Sequence, residues 1–159
     1  MNRLNFLIPV YNDWKSLNFL LKKINYQLSK KKRYCNVLIV DDCSSEKPEI
    51  YFKNLSFLKK IQILRLKKNA GSQRAIGLGL KHLSKIKSHN IIVVMDSDGE
   101  DDPEQINKMI DKAKKYPNYV ITSNRTKRKE SLLIRFLYRS HLILTFFFTS
   151  KWISFGNYS

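Results

Sequence analysis

Five apolar, β-branched runs of strand length, separated by stretches with helical spacing, constrain this chain more than any other feature. The runs cover residues 4–10, 36–40, 61–66, 91–95 and 119–122. Between them Leu17, Leu20, Leu21, Ile24 and Leu28 recur at helical intervals, as do Ala75, Leu78, Leu80 and Leu83, and then Ile106, Met109, Ile110 and Ala113. Strand, helix, strand in succession is the pattern of crossover connections, which bring successive strands into parallel pairing. The alternation therefore predicts an α/β fold with a mostly parallel sheet flanked by helices. At 159 residues, 43% of them hydrophobic, the chain is long enough for one compact domain with a real core.

That architecture says where to look for chemistry. Open parallel sheets bind ligands beyond the carboxyl ends of their strands, so the polar residues that follow each run are the candidates. They are PVYND, DDCSS, KKNAGSQRA, DSDGEDDP and SNRTKR, all expected on one edge.

The fourth of these concentrates acid in a basic chain. Asp96 and Asp98, with Glu100 beyond them, follow a buried strand, and two acids one residue apart on a turn can face one cation. Hard oxygen ligands of this kind suit Mg2+ or Mn2+, which would in turn hold a diphosphate. Helix capping competes for part of the cluster. Asp102 as N-cap, Pro103 at the first helical position and Glu104 in the first turn all suit the positive end of a helix dipole, and Asp101 belongs with them. Asp96 and Asp98 lie several residues too early for that role.

After the second run come Asp41 and Asp42, one of which suits a hydrogen bond to a ribose or a base edge. Ser44 and Ser45 read as turn or cap residues. NAGSQRAIGLGL has neither GxGxxG nor Walker spacing, so no phosphate cradle of those kinds is expected. Asn69 and Gly71 suit a tight turn that brings backbone close to a nucleotide, whereas Gly77 and Gly79 suit close packing of a helix.

The 30 Lys and Arg against 13 Asp and Glu give a net charge of +17, which favours anionic partners without choosing among them. KKKR at residues 30–33 and KIK at 85–87 read as solvated loops. No aromatic-interleaved basic stripe or nucleic-acid motif is present, and acids occupy the expected ligand edge, so nucleic acid is not the expected partner. Cys35 and Cys43 lack CxxC spacing and read as core or near-core thiols in a reducing compartment. The first apolar run is too short for a signal peptide, and cytoplasmic residence is expected.

The ordered set IPVYND, VDDCSS, NAGSQRAIGLGL, VVMDSDGEDDPEQI and SNRTKRKES resembles the successive signatures of the family-two glycosyltransferases with a GT-A fold. The branch it is most similar to contains dolichol-phosphate mannosyltransferase and the bacterial polyprenyl-phosphate glycosyltransferases. The resemblance implies a nucleotide-sugar-binding catalytic domain over residues 1–129, with sugar transfer from a UDP- or GDP-sugar and inversion at the anomeric carbon. It implies a nucleobase loop at Pro9, Tyr11 and Asp13, a base or ribose contact at Asp42, and a metal and sugar-diphosphate site at Asp96 and Asp98. Glu100 stands where such relatives often carry glutamine. Arg125 and Arg128 match a basic phosphate-binding loop, and Arg135 a later phosphate-binding arginine.

The arginines bear on the acceptor. A hydroxyl acceptor needs a general base, whereas a lipid phosphate is already ionised and attacks directly. Arg125, Arg128 and Arg135 would hold such an acceptor and, with the metal, stabilise the leaving diphosphate, which favours a polyprenyl phosphate over a glycan hydroxyl. The competing reading makes these cations solvated charges on a loop. Residues 130–159 form an amphipathic tail whose uninterrupted apolar core, residues 142–148, falls short of the ~20 residues that span a bilayer. It suits an interfacial helix at the inner face of the cell membrane, or equally a helix buried against the sheet. The resemblance also expects further acceptor-side sequence and, in hydroxyl-directed relatives, a later acidic base. A truncated chain is therefore the expectation, with a catalytically incomplete nucleotide-sugar-binding remnant or a hydroxyl-directed transferase as alternatives to an enzyme of cell-envelope glycan or lipopolysaccharide biosynthesis. Homo-oligomerisation stays open.

Overall fold

A computed structural model of the chain describes residues 3–51, 53–86, 90–98 and 103–122. The chain divides into two compact units, Met1–Ile121 and Thr122–Ser159, and the account below concerns the first. The expected boundary at residue 129, the C-terminal helix, Glu100, Asp101, Asp102, Arg125, Arg128 and Arg135 lie outside the described residues.

Strands β1 (Arg3–Val10), β2 (Cys35–Asp41), β3 (Leu58–Arg65) and β4 (Asn90–Val94) form one sheet in the order β3-β2-β1-β4, all parallel. Helix α1 (Trp14–Ser29) connects β1 to β2, α2 (Ser72–Ser84) connects β3 to β4, and α3 (Ile106–Lys115) follows a short 3-10 turn at Pro103–Gln105.

The core is laid down on both faces of the sheet. Helix α1 buries Trp14, Leu17, Leu21, Ile24 and Leu28, and α3 buries Ile106 and Ile110, against Phe6, Ile8, Val37 and Ile39. The opposite strand parity, Leu7, Leu38 and Val40, meets Ala75 and Leu83 of α2. Strands buried on both faces read as continuous apolar runs, which is why β1 and β2 stood out in the sequence. Leu78 and Leu80, expected on the buried stripe of α2, are 43% and 38% exposed. Their place is taken by Gly79, where an added Cβ would come within 2.9 Å of Val40 Cγ2 and would also collide with Leu7. The close packing expected at Gly79 is thus present, but Gly77 is exposed, with nothing within 4 Å of where its Cβ would stand.

Two other expectations need correction. Residues 119–122 form no strand: Tyr119 N–H closes a turn onto Tyr116 O at 3.2 Å, and Val120 is 90% exposed. Among the described residues their β-branched and aromatic composition has no neighbouring strand to act on. Arg33 is also more than a solvated loop charge, since it donates to Asn107 O and Oδ1 and pairs with Asp111, fastening the end of α1 to α3.

Among the described residues no helix is long and apolar enough to cross a membrane.

Candidate functional site

The strand order places the site. The chain adds β2 and β3 on one side of β1, then returns to add β4 on the other, so the order reverses between β1 and β4. Such a reversal opens a crevice beyond the carboxyl ends of the two strands, the crossover that reaches β2 (α1) and the one that reaches β4 (α2) lying on opposite faces of the sheet. Tyr11, Asn12 and Asp13 leave β1 there, and Asp96 and Asp98 leave β4. Pro9, expected in the nucleobase loop, is buried inside β1. The last bond from the β4 side is Met95 N–H to Leu7 O at 3.1 Å, while Val10 O accepts from Asp42 N–H on the β2 side at 2.9 Å. Alternation therefore points the missing N–H of Pro9 toward β4 just past its last bond, where a central strand tolerates proline.

The β1 and β2 loops are stitched together by Asn12. Its backbone N–H donates to Ser44 Oγ at 3.0 Å, and its Oδ1 accepts from Ser45 N–H at 2.8 Å and Ser45 Oγ at 3.0 Å. Asn12 holds φ 53°, a left-handed conformation that asparagine tolerates better than most residues. Asp13 caps α1, accepting from Ser16 N–H at 3.0 Å, and Tyr11 stands 53% exposed beside it.

The two acids that end β2 turn inward. Asp41 is fully buried: Oδ1 accepts from Ser44 N–H at 2.8 Å, and Oδ2 lies 3.5 Å from Arg65 Nε. Asp42 is 3% exposed, and its two oxygens accept Ala70 N–H at 2.7 Å and Gly71 N–H at 2.8 Å. Asn69 Oδ1 also accepts Gly71 N–H, at 3.2 Å, which closes the tight turn expected of this pair with Gly71 at φ +83°. Asp42 thus locks the β3 loop to the end of β2, and each of its oxygens keeps a second lone pair for a ligand.

Beyond β4, Asp96 is half-buried and Asp98 exposed. Among the described residues no three His, Cys, Asp or Glu converge as a ligand set. The fit to a divalent cation rests on two carboxylates in a D-x-D step after the strand, a hard donor set that a diphosphate would complete. Asp98 also lines a cleft of about 1070 Å3 between the amino-terminal half of α1, residues 46–51 and Pro103. Asn18 shapes its wall, donating to Glu49 O at 2.6 Å and accepting Tyr51 N–H at 2.8 Å. Among the described lining residues, Asp98 is the only expected site residue; Tyr11, Asp42 and Asn69 stand outside the cleft.

Sequence reasoning missed Asn12, Asn18 and Arg65. Asn12 sits inside YND and the polar match to SS in DDCSS is visible, but nothing local assigns that pairing.

A protein-family model described as Glycosyl transferase family 2 matches residues 6–157. An uncharacterised glycosyltransferase of Bacillus subtilis (strain 168), YkcC, is 30% identical over 126 residues, covering 79% of this chain and 38% of that protein. The undecaprenyl-phosphate 4-deoxy-4-formamido-L-arabinose transferase of Klebsiella pneumoniae (strain 342) is 25% identical over 134 residues, 83% of this chain and 39% of that one. Among solved structures, S. aureus TarS 1-349 superposes with a TM-score of 0.56 at 20% identity, covering 80% of this chain and 40% of that one, a likeness of fold. The chain spans about two fifths of the length of these relatives.

Proposed function

Because this chain belongs to glycosyl transferase family 2, we propose that it provides the donor-binding and reacting centre of an inverting transferase that moves a sugar from a UDP- or GDP-sugar to a polyprenyl phosphate. The observation that carries this reading is the reversal of strand order between β1 and β4, which puts the Asn12-stitched loops and Asp96 and Asp98 at one crevice. The undecaprenyl-phosphate transferase among its relatives supports the acceptor class.

In this reading the nucleoside lies against Tyr11 and the loops fixed by Asn12 and Asp42, with Asn69 and Gly71 presenting backbone. Asp96 and Asp98, joined by Glu100, would hold Mg2+ or Mn2+. When bound, the cation neutralises charge on the leaving diphosphate. Arg125, Arg128 and Arg135 supply the guanidinium charge that recognises an acceptor phosphate. A phosphate oxygen, already ionised, attacks the anomeric carbon from the face opposite the diphosphate. The carbon–oxygen bond to the nucleoside diphosphate breaks with its electron pair, and configuration inverts. No general base is needed, since no proton leaves the nucleophile. The place of action is the inner face of the cell membrane, in cell-envelope or lipopolysaccharide assembly.

The test is a thermal-shift panel of UDP- and GDP-sugars with Mn2+ or EDTA, followed by transfer to undecaprenyl phosphate and to a neutral glycan. A ligand selective for the native state raises its melting temperature. Stabilisation by one nucleotide sugar and product only on the phosphate support the reading. Product on the glycan alone replaces the acceptor, and no stabilisation by any nucleotide sugar removes the function.

A further inference from the structure

Arg65 ends β3 in register with Asp41, which ends β2. Its Nε lies 3.5 Å from Asp41 Oδ2, and its Nη2 donates to Ser44 O at 2.7 Å. Asp41 Oδ1 meanwhile accepts Ser44 N–H at 2.8 Å. Asp41, Ser44 and Arg65 therefore close a ring in which both backbone polar groups of Ser44 are held. Buried carboxylates are retained only with compensation, and Asp41 Oδ2 has no hydrogen-bond partner among the described residues, so the Arg65 guanidinium is its principal counter-charge.

The ring holds a strained turn. Cys43, just before Ser44, has φ 64°, a conformation that a non-glycine residue keeps only where its surroundings over-determine it. From Ser44 the linkage continues outward, since Ser44 Oγ accepts the N–H of Asn12 at 3.0 Å. An unbroken path thus runs from Arg65 on β3, through the β2 turn, to the β1 loop that carries exposed Tyr11.

We propose that Arg65 is a positioning residue for the nucleoside half of the donor, acting through Ser44 on the Asn12 loop. The proposal rests on the nucleotide-sugar reading above. It separates the site into a nucleoside half set by Arg65 and a diphosphate half set by Asp96 and Asp98.

The test measures UMP and GMP binding to the intact chain in EDTA, where the cation contributes nothing, for wild type, Arg65→Ala, Arg65→Lys, Ser44→Ala and the Arg65→Ala, Ser44→Ala pair. Arg65→Ala is expected to weaken the bound nucleotide about tenfold, the scale of one charge-assisted hydrogen bond. Arg65→Lys should recover part of that loss. Ser44→Ala cuts the same path one step later, so the double variant should be no weaker than the worse single one, a non-additivity that two independent packing defects would not show. The factor by which Mn2+ tightens UDP should stay at its wild-type value in Arg65→Lys. If Arg65→Ala does not fold, Arg65→Lys and Ser44→Ala decide the question, each expected to bind less tightly than wild type. Wild-type affinity in the folded Arg65 and Ser44 variants, or additive losses in the pair, overturns the proposal alone. A wild-type chain that binds no nucleotide in either EDTA or Mn2+ overturns the donor reading and this proposal with it.

Discussion

Asp42 and Gly71, 29 residues apart in sequence, are joined by a 2.8 Å hydrogen bond from the Gly71 N–H to Asp42 Oδ2. With the Ala70 N–H on the other oxygen at 2.7 Å, one buried carboxylate fixes the loop that opens α2 to the end of β2. Asp42→Ala is therefore expected to lower both stability and nucleotide affinity. Removing the acceptor of the part-buried Ala70 N–H, and the shorter of the two bonds made by the Gly71 N–H, should cost about 1.5–3 kcal/mol, the scale of a hydrogen bond to a charged group. Urea unfolding checks the first effect and UMP or GMP titration in EDTA the second. A stability loss with unchanged affinity would confine Asp42 to the lock and remove it from the ligand.

The two α2 glycines make an internal control for packing. Gly79→Ala pushes a methyl group against Leu7 and Val40 on the sheet, and overpacking of this kind costs about 1–3 kcal/mol. Gly77→Ala enters open space on a helix and should stabilise by about 0.5–1 kcal/mol. Opposite shifts of the denaturation midpoint are expected. A neutral Gly79→Ala would mean that α2 stands farther from the sheet.

These glycines also show where the sequence runs out. Gly77 and Gly79 carry the same local signal, and only the approach of Leu7 from β1 separates them. β1 and β2 were legible because burial on both faces writes a continuous apolar run, β3 and β4, more exposed, through their shorter apolar runs, and Asp96 and Asp98 because their position depends only on where β4 ends. Residues 119–122 have the composition of a strand without a neighbour to pair with among the described residues, and composition does not encode a neighbour. The same limit hid Arg65 and Asn12: a polar side chain announces that it needs partners, but Ser44 is chosen by the register of three strands. Asp42 was visible as a site candidate, whereas its hold on Ala70 and Gly71 depends on the β3 loop folding back across the end of β2.

The two cysteines should differ sharply in reactivity. Burial pushes the Cys35 thiol up to about 12, whereas Cys43 is half-buried at the site. An aromatic disulfide reagent at neutral pH is expected to label Cys43 in the folded chain and Cys35 only on unfolding, since the thiolate is the reacting form. The same shift has a pH consequence. In the unfolded chain Cys35 ionises near its ordinary value of 9.0, while in the folded chain it stays protonated until about 12. The native state thus binds more protons across that window, and stability falls as pH rises through it, by about 1.4 kcal/mol per unit at most from this group. The stability advantage of wild type over Cys35→Ala should shrink steadily above pH 9.0 and be constant below it. A constant difference throughout would place Cys35 in contact with water.

The proposed cation site gives the last prediction. Asp96 and Asp98 follow β4 at the reversal point, and a diphosphate brought there without a cation would meet two carboxylates of its own sign. UDP or GDP should therefore bind more tightly in Mn2+ than in EDTA, and Asp98→Ala should remove most of that difference. The expected change is about tenfold or more, equivalent to about 1.4 kcal/mol or more. Asp98→Asn keeps the shape and one neutral oxygen, so it should retain part of the effect if Asp98 coordinates directly. UMP affinity in EDTA should be the same in both variants as in wild type, because the nucleoside half is held by other loops. Calorimetric titration of each nucleotide under the two conditions reads all of these values. Equal UDP and GDP affinity with and without Mn2+ in the wild-type chain would take the cation out of donor binding, and a full Mn2+ effect in Asp98→Ala would pass its coordination to Asp96 and Glu100.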